Sequence, residues 1–209
     1  RLLYCGEWIE SHGLHMLMLH APDFLGLPSS IELAQQHPER FHAGLRIKQA
    51  GNAIVRVLGG REIHPINVRV GGFYRAPERA RLDELVPQLS AALEHAEAQL
   101  DWFARFEFPE FQRDYELVAL QHPDEYPMNE GRLVSTPGLD IDPAEFNDHF
   151  VEEQVPHSTA LHARVRARGP YQVGPLARFV HNAERLDPRA AAAAARVGND
   201  YRALPRLRP

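Results

Sequence analysis

One cysteine, Cys5, is the whole thiol complement of these 209 residues. That scarcity excludes a disulfide within the chain and any iron–sulfur or tetrathiolate zinc site made from its cysteines alone. Beside Tyr4 and Gly6 on an apolar stretch, Cys5 reads as a small packed side chain. Serine chemistry lacks its signature too, because no Gly-x-Ser-x-Gly elbow occurs. The glycines of a dinucleotide or phosphate loop are missing as well: Gly59-Gly60 and Gly71-Gly72 are separated doublets. There is no apolar run near the ~20 residues that a membrane span requires. Net charge is −5, so no basic excess draws the chain to nucleic acid.

What is present is the composition of a globular chain with a core, 44% hydrophobic and 24% charged. Leu2 to His20 is apolar on more than one face, which suits a helix buried in a bundle, and Ala21-Pro22-Asp23 is expected to end it. Phe41, Leu45, Ala50, Ile54, Val57 and Leu58 form one stripe and predict a helix over about 38–58, closed by Gly59-Gly60. Ile66, Val68 and Val70 alternate with polar residues, as in a short strand. A third helical stripe runs from Leu82 to Phe103, with Pro87 placed to shift its start. Beyond Pro109 the chain is proline-rich, with strands expected at 116–120, 132–135 and 160–166. Asp142-Pro143 reads as a helix start and 175–195 as helical. The fold class is thus mainly α with small β elements (α+β). Within residues 1–209 it divides into a helical core over 1–108, an irregular strand-containing segment over 109–170 and a helical segment over 175–200.

Twelve histidines raise the question of metal binding. His12 and His15 are neighbours on one helical face and His20 follows, but a zinc site needs further ligands aimed at the same point. Packed, hydrogen-bonded histidines are the preferred reading. Residue chemistry by itself assigns no catalytic group and no metal ligand.

Several blocks nevertheless resemble one family, in that family's own order. Ser11-His12-Gly13-Leu14-His15 through Ala21-Pro22-Asp23-Phe24-Leu25-Gly26 is similar to the buried helix after the first cysteine motif of nickel–iron hydrogenase large subunits. Arg46-Ile47-Lys48-Gln49-Ala50-Gly51-Asn52, then Gly59-Gly60-Arg61-Glu62-Ile63-His64-Pro65 and Val70-Gly71-Gly72, resemble the block that follows it. Val155-Pro156-His157-Ser158-Thr159-Ala160-Leu161-His162 and Tyr171-Gln172-Val173-Gly174-Pro175 resemble the cytoplasmic, NAD(P)-linked bidirectional type.

The resemblance implies a helix-bundle core and a parent that oxidises H2 reversibly at a nickel–iron centre held by four cysteines in two Cys-x-x-Cys motifs. Neither motif is in this chain, so it is expected to be an internal fragment, inactive alone and binding no cofactor itself. The abrupt entry at Arg1 into apolar sequence supports that expectation. Implied partners are an iron–sulfur small subunit and NAD(P)-reactive diaphorase subunits, in the cytoplasm. By the same resemblance His64 lies towards the small subunit, where its imidazole would tune an iron–sulfur cluster; the other reading is that it only fixes its turn. Gly59, Gly60, Gly71 and Gly72 are the expected turn glycines. Two alternatives stay open: the quinone-site subunit of respiratory complex I, which shares the fold without the cysteines, and a free-standing helical protein.

Overall fold

The structure is a computed structural model and describes residues 1–108 and 114–197. They fall into two compact units, Arg1–Pro109 and Glu110–Pro209. Mainly helical elements with small sheets make this an α+β protein, the expected class.

In the first unit, α1 (Leu2–Leu14), α2 (Ala21–Phe24), α3 (Ser30–Gln36) and α4 (Pro38–Gly59) are followed by the two-residue strands β1 (Val68–Arg69) and β2 (Gly72–Phe73). Then come α5 (Arg79–Asp83) and α6 (Leu85–Phe103). The expected stop at Pro22 does not occur. A π-helical segment, His15–His20, joins α1 to α2, and Pro22 sits in the first turn of α2. A proline ring clashes with the carbonyl four residues back; the wider π-turn, with the Ala21 N–H bonded to Met16 O, opens the helix just before it. The start of α6 is likewise displaced from Leu82 to Leu85, with Pro87 in its first turn, where the missing N–H costs least. Ser29 caps α3 by accepting from the Ile31 N–H at 3.1 Å. Its hydroxyl also donates to Glu32, which holds that carboxyl below its ordinary range.

α1 and α4 pack through glycines. A Cβ on Gly51 would lie 2.5 Å from the Glu10 backbone nitrogen and 2.7 Å from Gly6 O, and one on Gly6 would lie 2.9 Å from the Ile54 side chain. Gly13 faces Ile47, and Gly44 faces Leu17 in the π segment. Each helix thus carries two glycines seven residues apart, about two turns, on the face that meets its neighbour. The close approach buries Ile54 and Val55 almost completely, and each contributes about 1.5–3 kcal/mol. Leu85 of α6 completes the core beside Ala53, Ile54 and Leu58.

The second unit is built on a four-stranded sheet of order β5-β4-β3-β8: β3 (Glu116–Gln121), β4 (Arg132–Ser135), β5 (Asp140–Ile141) and β8 (Tyr171–Gln172). β3 pairs antiparallel with β4 and parallel with β8. Alternation along β3 sends Leu117 and Ala119 to α8 (Pro175–Asn182), where Ala177 is fully buried. Val118 faces the other way, into a core with Ile141, Phe150 and Val165. That core takes in the antiparallel hairpin of β6 (Phe150–Glu153) and β7 (His162–Val165) and the four-residue α7 (Phe146–His149). The Asp142–Glu145 capping box starts the 3-10 turn ahead of α7, as Asp142-Pro143 signalled. The expected helix over 175–195 is broken after α8, because Asp187 caps a new helix, α9 (Pro188–Arg196), with Pro188 in its first turn. Side chains from the end of α8 occupy the backbone groups of β3. His181 Nε2 donates to Leu117 O at 2.9 Å and Asn182 Nδ2 to Leu120 O at 2.8 Å.

Two variants test these contacts by urea unfolding. Gly51→Ala forces two backbones apart and is expected to lose about 2–3 kcal/mol, against less for Gly44→Ala, whose added methyl meets a rotatable Leu17 side chain. Asn182→Ala leaves the part-buried Leu120 carbonyl without this donor and is expected to lose about 1–2 kcal/mol. Equal losses in the two glycine variants would disprove the close-contact account.

Candidate functional site

The expected site residues come together in the segment after α4. Gly60 caps α4 at φ 87°, and a Cβ on Gly59 would collide with Pro65. Gly59 O accepts from the N–H groups of Ile66 and Asn67 at 2.8 and 2.9 Å, so the chain doubles back on the helix end. Gly71 and Gly72, at φ 81° and 152°, turn the β1–β2 hairpin. His64 lies at the apex of the first turn, exposed, with φ 53°. Arg61 Nε donates to its carbonyl at 2.6 Å and holds that backbone in place. A left-handed non-glycine residue costs about 1–2 kcal/mol, although histidine tolerates the region better than most.

Asn67 carries more of this architecture than sequence reasoning gave it as the polar partner in a strand. Its Nδ2 donates to Leu58 O and to Arg75 O, both at 2.8 Å, and its Oδ1 accepts from the Arg75 N–H at 3.1 Å. One amide thereby ties the helix end to both sides of the hairpin. Along the same segment Ile63, Ile66, Val70 and Tyr74 are all more than half exposed.

Behind the turn, between α1 and α4, sits a polar cluster that the sequence did not reveal. Lys48, the only lysine, lies 3.2 Å from Glu10. With its side-chain amide turned so that oxygen faces the ammonium and nitrogen the carboxylate, Asn52 donates to both Glu10 oxygens at 2.8 and 3.0 Å and accepts from Lys48 Nζ at 3.1 Å. Its members satisfy one another and fix the register of the two helices.

The other candidates are placed as follows. His15 and His20 lie on the exposed side of their helix rather than inside the bundle, and His15 Nδ1 is 2.9 Å from Ser11 O. Among the described residues no three His, Cys, Asp or Glu side chains gather closely enough to hold a metal ion. None of the described helices is long and apolar enough to cross a membrane. Burial pushes the Cys5 thiol above its ordinary pKa, which disfavours the reactive thiolate.

Two measurements follow. At one mildly alkaline pH, iodoacetamide is expected to modify Cys5 more slowly in the folded chain than in urea; equal rates would contradict the burial. His64→Gly takes the same φ without strain and is expected to hold stability within about 1 kcal/mol, while His64→Val loses about 1–2 kcal/mol.

The comparisons with known proteins agree with this architecture. No family model matches the chain. The alpha subunit of sulfhydrogenase 1 from Pyrococcus furiosus is 30% identical over 187 residues, which are 88% of this chain and 44% of that subunit. The alpha subunit of sulfhydrogenase 2 from the same organism is 41% identical over 99 residues, 47% of this chain and 24% of that one. The crystal structure of an NAD+-reducing [NiFe]-hydrogenase in the H2-reduced state superposes with a TM-score of 0.83 at 24% identity, covering 93% of this chain and 49% of that one. The chain thus spans about half the length of the relatives it matches over most of its own. It is a homologue of hydrogenase large (alpha) subunits and has the fold of a nickel–iron hydrogenase chain.

Proposed function

We propose that this chain forms part of a hydrogenase large subunit whose complete form catalyses the reversible oxidation of H2 to two protons and two electrons. The observation that carries the proposal is the 30% identity to a sulfhydrogenase alpha subunit across 88% of the chain. A complex I-type scaffold is disfavoured, because the relatives matched across most of the chain are hydrogenase subunits.

The residues present do not fit a nickel–iron centre. Such a centre calls for several soft thiolates, and the chain offers Cys5 alone, half-buried and with a raised pKa. In this reading the ligands belong to parts of the parent outside these 209 residues, and the chain supplies the scaffold beside them. The His64 turn is the face for the iron–sulfur small subunit. Its left-handed backbone and the exposed apolar residues along the segment support that assignment, since such residues concentrate where a partner or ligand docks. In this reading the imidazole N–H would donate to a cluster sulfur. Gly59, Gly60, Gly71 and Gly72 shape that face. NAD(P)-reactive diaphorase subunits as further partners, and a cytoplasmic setting, complete the proposal.

The test is the full-length gene product, purified with its partners. Nickel bound by the large subunit and H2-dependent reduction of a viologen dye are expected; a product without cysteine pairs and without nickel would refute the reading. In that complex His64→Gly is expected to shift the potential of the nearest cluster, read by EPR-monitored redox titration, while leaving the fold intact. An unchanged potential would leave His64 with only its turn to fix.

A further inference from the structure

We draw no further inference here: the strongest candidate, the open cleft of about 790 Å³ between the ends of β3, β4 and α8, has walls charged with both signs in which Arg132 and Asp140 already pair with each other, so that they select no ligand class, and nothing in the structure shows what covers it.

Discussion

The backbone-to-backbone approach of α1 and α4 is the constraint on which the first unit rests. Gly51 leaves no room for a side chain between itself and the Glu10 and Gly6 backbones. Only at that distance do Ile54 and Val55 close against α1 and Leu85 of α6 complete the core. The same approach sets Lys48 and Asn52 against Glu10 and gives buried polar groups the partners they require. Packing supplies the larger part of the stability here, and the polar cluster selects one register from the several that a smooth glycine seam permits.

The second unit solves a different problem, that of a small sheet with an incompletely paired strand. β8 covers only the first two residues of β3, so the edge beyond has no strand to bond. The end of α8 answers with a side chain: Asn182 donates to Leu120 O where a neighbouring strand would have presented an N–H group. The hairpin on the opposite face needs no such device, since Phe146 and Phe150 stack at 4.5 Å and Phe150 meets Tyr171 edge-on.

What could be read from the sequence was whatever has a period or a local chemistry. The stripe from Phe41 to Leu58 located α4 to within a residue of its end, and Asp142-Pro143 announced its capping box. The strand over 132–135 was visible from its β-branched and apolar residues. Contacts that join distant parts of the chain were not legible. Gly6, Gly13, Gly44 and Gly51 are unremarked by a hydrophobic pattern, because glycine neither strengthens nor breaks it. The roles of Asn182 and Asn67 are likewise set by tertiary position, which no local rule supplies. Of the candidate site, the block of Gly59 to Gly72 identified the segment, while the left-handed backbone of His64 came only with the structure. Pro22 misled for an instructive reason: the rule that proline ends a helix assumes the α form, and the chain had changed form first.

That change of form has a bearing on sequence length. A π-turn holds one residue more than the α-turn it replaces, so the His15–His20 segment acts as a phase adapter. It absorbs that residue within one turn, so that α1 keeps the rotational setting that aims Gly6 and Gly13 at α4 while Leu17, beyond, still meets Gly44. Loss of a single residue there would leave a regular helix with both parts in the same setting. This stretch can therefore change in length by one residue without turning either part away from α4, which the regular turns of α4 cannot do.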